Sequence, residues 1–294
     1  MPSGSTNENA TGSRLSAIPV FHDPRMVANA RSFSPSAGKP AEVMASWRDL
    51  GVALDVRSFD PASREQLALA HARDYVEGIL EGRETNGFGN RLMSVANALP
   101  FTTGAMIAAA REAVANRRVA VAPVSGFHHA RFAASAGFCT FNGLIVAARV
   151  LQTEGLARRV GILDFDQHYG DGTAQIIRFL GLTDIVHFTA GAEYGREEQA
   201  EGFLRHIPRR LHDFYGCDVL LYQAGADPHI DDPLGGWLTD DQLQRRDRLV
   251  FEGCRDLCLP VAWNLAGGYQ SPLRKVLDIH DATMRECARV YLRP

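Results

Sequence analysis

The chain has 294 residues, of which 46% are hydrophobic and 22% charged, and its formal net charge is −3. This is the composition of an ordinary globular protein, and so small a charge gives no strong attraction to nucleic acid or to anionic membranes. The five cysteines are odd in number and scattered, which argues against a disulfide framework and favours a reducing compartment.

The first fourteen residues, MPSGSTNENATGSR, are small and polar. They predict a disordered tail at 1–14, ahead of a single folded domain at 15–294. We find no apolar run that approaches the ~20 residues of a membrane span and no signal-peptide core near the start. We therefore expect neither a membrane nor a nucleic-acid partner, and homo-oligomerisation stays open.

Short apolar runs rich in β-branched residues predict seven strands along the chain. They fall at 17–21, 52–56, 118–124, 159–165, 184–188, 218–224 and 259–266. Helix-like stretches lie between several of them, at 102–117, 141–155, 171–181, 197–214 and 239–257. Strands that alternate with helices predict a single α/β domain with a mainly parallel sheet covered on both faces.

Glycines and ionisable or hydroxyl residues follow four of the apolar runs. The third run is followed by SGFHHA, the fourth by DQHYGDG, the sixth by GADPHIDDPLGG and the seventh by GGYQ. In open parallel sheets, ligands bind at the carboxyl ends of the strands. We therefore expect these four chain segments to converge on one crevice.

The ends of the fourth and sixth apolar runs, and the segments that follow them, contain candidate metal ligands. Asp164, Asp166 and His168 are spaced by two residues, so their side chains point the same way if the strand geometry persists. A carboxylate and an imidazole together suit Zn²⁺ or a similar divalent ion, and Asp227 is the best third ligand. Three protein ligands and an open position form the catalytic arrangement, in which a bound water becomes more acidic.

An adjacent histidine pair, His128 and His129, follows the third run. Each imidazole needs a carboxylate or a carbonyl on its other nitrogen to fix its tautomer, and Asp164 and Asp171 are available. Each of the motifs that follow the four runs, taken alone, is more often a turn, a helix cap or a core residue. Their occurrence at four strand ends favours a functional site.

The seventh run ends in two glycines and a tyrosine. Gly267 and Gly268 allow a close approach of the backbone and unusual dihedral angles. A hydroxyl such as that of Tyr269, placed after them, can donate a hydrogen bond to a developing oxyanion.

The order of five motifs resembles that of the histone deacetylase superfamily, which includes acetylpolyamine amidohydrolases and related bacterial deacetylases. The motifs are HHA at 128–130, GFCTFNG at 137–143, ILDFDQHYGDGT at 162–173, GADPHIDDPLGG at 225–236 and NLAGGY at 264–269. The resemblance covers nearly the whole chain after the tail. It implies the arginase–deacetylase fold, with a central, mostly parallel eight-stranded sheet and helices on both faces. It also implies one Zn²⁺ per chain, with Fe²⁺ or another divalent ion as alternatives.

The resemblance also implies a role for each matching residue. Asp166, His168 and Asp227 match the family's metal ligands. His129 matches the general base that takes a proton from the attacking water and then returns it to the leaving amine. His128 matches a histidine that mainly adds electrostatic support.

The remaining matches concern the partners of the histidines and the substrate pocket. Asp164 matches the carboxylate paired with the first histidine, and Asp171 the one paired with the second. Tyr269 matches the tyrosine that polarises the scissile carbonyl together with the metal, and Phe138 matches an aromatic wall of the acyl-lysine tunnel. The substrate pocket is further expected to include Phe127, Gly137, Gly267 and Gly268.

Several positions depart from the family pattern. Phe127 precedes the histidine pair where many members have glycine, so a reshaped pocket floor is expected. Tyr169 stands where many members have a second histidine, and Ala266 replaces a glycine. His187 stands at the position of a serine associated with a monovalent cation, so a potassium ion is not expected.

The region 188–224 is shorter than in well-known family members. We find neither their second tunnel-wall aromatic residue nor a clear match for their rim aspartate, for which 86–90 is a candidate loop. A tunnel that is shorter, more open or completed by another subunit is expected.

These features predict a cytoplasmic enzyme of bacterial type, a zinc-dependent amidohydrolase that removes acetyl or similar short acyl groups from an amine. Whether the amine belongs to a protein lysine, a polyamine or a small metabolite stays open. One alternative is a two-metal enzyme of the same fold, similar to the ureohydrolases. The other is a non-catalytic acyl-binding or assembly module, which the missing tunnel segment motivates.

Overall fold

A computed structural model describes residues 15–292, and the predicted tail at 1–14 lies outside them. The described residues form one sheet of seven strands. The strands are Ile18–Phe21 (β1), Leu54–Arg57 (β2), Val119–Ala122 (β3), Val160–Asp164 (β4), Ile185–Thr189 (β5), Val219–Gln223 (β6) and Val261–Asn264 (β7). Every pair is parallel, in the order β2-β1-β3-β7-β6-β4-β5.

Nine α-helices accompany the sheet in the same part of the chain. They are Lys39–Arg48 (α1), Arg64–Leu67 (α2), Arg73–Leu80 (α3), Met93–Asn116 (α4), Gly143–Thr153 (α5), Asp171–Leu180 (α6), Ala200–His212 (α7), Asp240–Asp256 (α8) and Arg274–Tyr291 (α9). Helices α5 to α8 were expected and lie close to their predicted bounds. Helices α1, α2, α3 and α9 were not predicted.

The strand count differs from the one that the family resemblance implies. Between residues 15 and 292 the sheet has seven strands, so the expected eighth is absent from it. Each of the seven apolar runs forms one strand. The interval between β5 and β6 is instead occupied by two short 3₁₀ turns and α7.

Helix α4 is longer than predicted. It begins at Met93 and continues through Pro100. Thr102 therefore lies inside the helix, where its hydroxyl donates to the carbonyl of Leu99 at 2.9 Å. Among the described residues α4 is the one helix long and apolar enough to cross a bilayer, against the sequence expectation of none, and 56% of that apolar window is buried inside the protein.

Helices cover both faces of the sheet, as predicted. Val119 and Val121 of β3 belong to one apolar cluster, which includes residues of α1, α7, α8 and α9. Ala120 and Ala122 belong to a second cluster, which includes residues of α3, α4 and α5. Alternate residues of a strand point to opposite faces, so the two clusters form two layers of core.

The sheet order explains where a site can form. The four strands followed by chemically active segments, β3, β7, β6 and β4, are consecutive neighbours in the middle of the sheet. The last residues of β4, β6 and β7, Asp164, Gln223 and Asn264, are aligned in register. The segments after these strands therefore emerge side by side at one edge.

Candidate active site

Three ligand-type side chains meet just beyond the ends of β4 and β6. The ligand atoms of Asp166, His168 and Asp227 all lie within 4.8 Å of one another. Nδ1 of His168 is 3.2 Å from Oδ1 of Asp166 and 3.1 Å from Oδ2 of Asp227. Both carboxylates are buried, whereas His168 is half-buried and borders an open cleft.

Backbone amides orient the two carboxylates. The N–H of Gly267 donates to Oδ2 of Asp166 at 2.9 Å, and the N–H of Gln167 donates to Oδ1 of Asp227 at 3.3 Å. The remaining oxygen of each carboxylate faces His168. A Cβ at Gly267 would lie 2.2 Å from Oδ2 of Asp227, so this position needs glycine.

The electrostatics of this trio fit a divalent cation. Burial and the negative charge of Asp166 raise the pKa of Asp227 to about 7, although the hydrogen bond with His168 acts in the opposite direction, because two carboxylates are buried close together. Two carboxylate oxygens and one imidazole nitrogen are the donors that zinc or a related divalent ion accepts. In the described part of the chain, this is the one cluster with such geometry.

Two histidine–carboxylate pairs flank the trio. Nδ1 of His128 lies 2.8 Å from Oδ2 of Asp164, and Nδ1 of His129 lies 2.6 Å from Oδ1 of Asp171. Burial opposes a charge on His128, but the negative charges of Asp164 and Asp166 outweigh it and raise its pKa to about 9. Burial and the neighbouring charge of His128 lower the pKa of His129.

Further side chains hold the two aspartates of these pairs. The amide Nε2 of Gln223 donates to Oδ1 of Asp164 at 2.9 Å. The guanidinium of Arg131 donates to Oδ2 of Asp171 at 2.6 Å. Each aspartate thus has one oxygen on its histidine and the other on a separate donor, which fixes the carboxylate and the imidazole together.

Tyr269 and Phe138 line a small pocket next to the histidine pair and the ligand carboxylates. The pocket is also lined by His128, Asp166 and Gly137. The rings of Tyr269 and Phe138 lie 5.6 Å apart, centroid to centroid. Burial and the negative charge of Asp227 raise the pKa of Tyr269, so its hydroxyl stays protonated and can donate.

Some of the predicted pocket residues line the small pocket, and others lie elsewhere. Gly137, with φ of +50°, lies against His129, and a Cβ there would lie 2.4 Å from the imidazole. Gly267 lines the small pocket, whereas Gly268 instead packs near Val276. Phe127 does not line this pocket and instead lines a neighbouring apolar cavity.

The side of the site near His168 is open. The turn that follows β5 brings Gly191 against the backbone of His168, where a Cβ would lie 2.3 Å from the carbonyl carbon. This leaves a cleft bordered by Gly191 and by Tyr169, whose side chain is exposed. The rings in contact with Phe138 are those of Phe33, Phe88 and Tyr269.

The candidate rim loop at 86–90 offers amides rather than a carboxylate. The side chain of Asn86 donates to Oδ1 of Asn90 at 2.8 Å. Phe88 of this loop lies 5.9 Å from the ring of Phe138, and Phe33 lies 5.3 Å from it. The loop therefore extends the aromatic wall of the site.

Sequence reasoning missed two buried cations that hold the site together. Nζ of Lys39 donates to the carbonyls of Ala266 and Gly267, at 2.7 and 3.2 Å, and burial lowers its pKa to about 8. The guanidinium of Arg246 donates to the carbonyls of Phe165 and Gly225, which precede the two ligand aspartates. Arg246 lies at helical spacing from the apolar residues of α8, so the sequence could have indicated that it is buried. No comparable pattern marks Lys39.

Comparison with known proteins gives a family match over most of the chain. Residues 36–188 and 180–284 match the family model described as "Histone deacetylase domain". An uncharacterized protein of Picosynechococcus is 31% identical over 252 residues, which cover 78% of this chain and 83% of that protein. Histone deacetylase 10, chloroplastic, of Oryza sativa is 28% identical, over 74% of this chain and 59% of the rice protein. Acetylpolyamine amidohydrolase 1 of Pseudomonas aeruginosa is 27% identical over 48% of each chain.

Solved structures share the fold. The HDA15 HD domain superposes with a TM-score of 0.77 at 20% identity, over 95% of this chain and 90% of that one. An acetylpolyamine aminohydrolase from Burkholderia pseudomallei superposes with a TM-score of 0.71 at 18% identity, over 93% and 99% of the two chains. These similarities establish the architecture of the sheet and helices.

Proposed function

Since the chain belongs to the histone deacetylase family, and is thus a hydrolytic deacetylase, we propose that it is a zinc-dependent amidohydrolase that removes short acyl groups from an amine. The family match confirms the resemblance inferred from the motifs. The observation that carries the proposal is the convergence of a carboxylate–imidazole trio, two histidine–carboxylate pairs and a tyrosine at four neighbouring strand ends.

Asp166, His168 and Asp227 would hold the metal ion. When bound there, the ion would polarise the acyl carbonyl and make water more acidic. The two carboxylates are held in place before the substrate arrives, because backbone amides donate to both. Arg246 bridges the two strand ends that carry those carboxylates, so it fixes the distance between them.

His129 is proposed to move the proton. Its Nδ1 is bound to Asp171, so its Nε2 is free to accept the proton of the attacking water in the neutral state. The same nitrogen then returns the proton to the leaving amine as the C–N bond breaks. His128 is fully enclosed beside Asp164 and would stabilise negative charge through its own positive charge.

Tyr269 is proposed to stabilise the oxyanion that forms on the carbonyl oxygen. Its hydroxyl stays protonated, and the backbone N–H of Tyr269 donates to Oδ2 of Asp232 at 2.8 Å, which fixes the segment that carries the ring. A donor held in advance at this place contributes to the rate without having to reorganise during the reaction.

The acylated amine is proposed to enter through the open cleft beside His168 and Tyr169. The relatives named for acetylpolyamines and for histones make an acetylated polyamine and an acetyl-lysine the first substrates to try. We propose that the enzyme acts in the cytoplasm on such a small molecule or lysine side chain.

The test is amine release from acetyl-lysine peptides, acetylated polyamines and simple N-acetyl amines. We expect release by zinc-loaded protein, loss of release after chelation, and recovery when zinc is restored at one ion per chain. Asp166→Ala should abolish release. Asp231→Ala is the matched control, since Asp231 is an exposed aspartate beside the site and should keep wild-type activity. Equal release by loaded and stripped protein would contradict the proposal.

A further inference from the structure

Arg246 and Asp247 form an ion pair that is fully enclosed in the protein. Their side chains are 0% and 1% exposed, and Nε of Arg246 donates to Oδ1 of Asp247 at 2.8 Å. A guanidinium stays charged inside a protein, so it is costly to bury even beside a carboxylate. Apolar side chains of similar volume are often as stable at such a place. The pair therefore points to a role other than the stability of the fold.

The guanidinium joins the two chain segments that carry the ligand carboxylates. One of its nitrogens, Nη1, donates to the carbonyl of Phe165 at 3.2 Å and to that of Gly225 at 2.7 Å. Phe165 directly precedes Asp166, and Gly225 lies two residues before Asp227. The other terminal nitrogen, Nη2, is buried and finds no partner among the described residues. The side chain is thus placed for the bridge rather than for its own complete hydrogen bonding.

The two segments are in direct contact at Gly225. A Cβ built there would lie 2.8 Å from Cα of Asp166 and 2.7 Å from Oδ1 of Asp227. Both distances are too short for a real side chain, so the backbones meet with nothing between them. A donor shared by both segments holds this contact closed. The separation of the two ligand carboxylates is therefore controlled from the backbone side.

Further hydrogen bonds hold Asp247 itself. The hydroxyl of Thr283 on α9 donates to Oδ2 of Asp247 at 2.6 Å, and the hydroxyl of Tyr222 on β6 donates to Oδ1. Thr283 and Tyr222 are both fully buried. The guanidinium of Arg246 is thus oriented by groups from α8, α9 and β6, none of which belongs to the metal-ligand trio.

We propose that the Arg246–Asp247 pair sets the affinity of the metal-ligand trio for its divalent ion. The inference rests on the proposed function, since it concerns the metal of that same site. A site binds its ion tightly when the ligands are held at the correct separation before the ion arrives. Groups that orient ligands without being ligands are typically worth about 10–100-fold in metal affinity. Arg246 acts through the backbone of both segments, so it is a positioning residue.

The first experiment measures the affinity for zinc by competition with a chelating dye, in the absence of substrate. The double variant Arg246→Met/Asp247→Asn removes both charges together, so that neither is left buried alone. We expect it to bind zinc about 10–100-fold more weakly than the wild type. Arg245→Met is the matched control, because Arg245 is the preceding residue of α8, is exposed and pairs with Glu201. The control should keep the wild-type affinity.

Two milder variants test whether the effect is graded, and they decide the question if the double variant does not fold. Arg246→Lys keeps the charge beside Asp247 and replaces the planar fork by an ammonium, so the affinity should fall less than in the double variant. Thr283→Val removes only a hydroxyl that holds Asp247 and should lower the affinity least. Wild-type affinity in every folded variant would overturn the inference.

Cobalt distinguishes a positioning role from a general effect on the fold. The visible spectrum of bound Co²⁺ depends on the coordination geometry, and it would be recorded beside the thermal unfolding of metal-free protein. We expect the spectrum of Arg246→Lys to differ from that of the wild type and that of Arg245→Met to match it. A lower unfolding temperature with unchanged zinc affinity and an unchanged spectrum would overturn the inference.

The affinity measurement also separates this inference from the proposed function, because it needs no turnover. If the wild type binds zinc and releases no amine from any substrate, the proposed function is wrong. A weaker affinity of the Arg246 variants would then still support the positioning role, and an unchanged affinity would overturn it.

Discussion

The two histidine–carboxylate pairs have the same chemistry and different surroundings. The side chain of His128 is 3% exposed and that of its partner Asp164 is fully buried, whereas His129 and Asp171 are 21% and 27% exposed. The pKa of His128 is raised to about 9, while that of His129 is lowered. The surroundings thus favour a proton on the enclosed histidine and disfavour one on the histidine beside the cleft.

The difference shows that surroundings rather than pairing set the proton affinity of each histidine. His128 faces the negative charge of Asp166 as well as that of Asp164, which outweighs the cost of burying its own charge. The partner of His129 shares its charge with Arg131, and His128 repels a second proton. A neutral imidazole near the cleft suits a general base, and an enclosed imidazolium suits the stabilisation of negative charge.

The largest effect is expected from His129→Ala. Loss of the general base should lower kcat by about 10²–10⁴-fold, whereas His128→Asn should cost at least about tenfold less. Steady-state amine release would be measured for both, with bound zinc checked by atomic emission. If His128→Asn were the more damaging of the two, the roles assigned here would be reversed.

Tyr269→Phe removes the oxyanion donor and leaves both histidine pairs intact. We expect kcat to fall by about 10²–10³-fold, with little change in KM, because the hydrogen bond forms mainly in the transition state. Tyr169→Phe is the control at the edge of the cleft and should keep its kcat. Equal, small effects of the two changes would remove Tyr269 from the mechanism.

A third buried histidine shows what happens when no carboxylate is present. The ring of His71 lies between the carbonyl of Arg131, at 2.9 Å from Nδ1, and the N–H of Asn142, which donates to Nε2 at 2.8 Å. Burial lowers its pKa to about 4. The unfolded chain, with a pKa near 6.5, binds more protons over this range, so stability is full above pH 6.5 and is lost as pH falls towards 4.

At pH 5 this histidine should cost about 2 kcal/mol of unfolding free energy relative to pH 7. Burial lowers the pKa of His187 in the same way, so the wild type should lose more than one histidine accounts for. Urea unfolding of wild type and His71→Gln at the two pH values would isolate the contribution of His71. An identical pH dependence in both proteins would show that His71 is not the group that titrates.

The smallest effect is expected from Arg131→Ala. Without the guanidinium, Asp171 attracts the proton on His129 more strongly, so the pKa of His129 rises. The acid limb of the kcat/KM profile should therefore move to higher pH, with a loss of severalfold near pH 6 and little loss at pH 8. Arg178→Ala on the neighbouring α6 is the control. A profile that keeps its shape would mean that Arg131 does not tune this pair.

The parts of the fold that were predictable from the sequence have local signals. Each apolar, β-branched run became a strand, and α8 began after Thr239, whose hydroxyl accepts the N–H of Gln242. The family resemblance implies eight strands, and no local sequence pattern could show whether the eighth is present. The segment after β5 forms turns and a helix instead. Helix α4 was predicted too late, at 102–117, because the strong helix formers of that stretch mark only its second part, whereas the helix begins at Met93 and continues through Pro100.

The candidate site was predictable to the extent that its residues follow strands. Asp166 and Asp227 lie two and four residues beyond the ends of the neighbouring strands β4 and β6, so the topology brings them close together. Lys39 reaches the site across 227 residues of sequence to the carbonyl of Ala266, and no local pattern predicts that contact. The apolar cavity is likewise built from distant segments, so only the folded chain shows it.

Chemical rescue tests the central claim most directly. Imidazole would be added to His129→Ala and, in parallel, to His128→Ala, with zinc-loaded protein and one acyl-lysine peptide. The account predicts that imidazole restores turnover of His129→Ala in proportion to its neutral form, because this position opens to the cleft, and that it leaves His128→Ala unchanged. Failure to restore His129→Ala, or equal rescue of both variants, would contradict the assignment of His129 as the group that moves the proton.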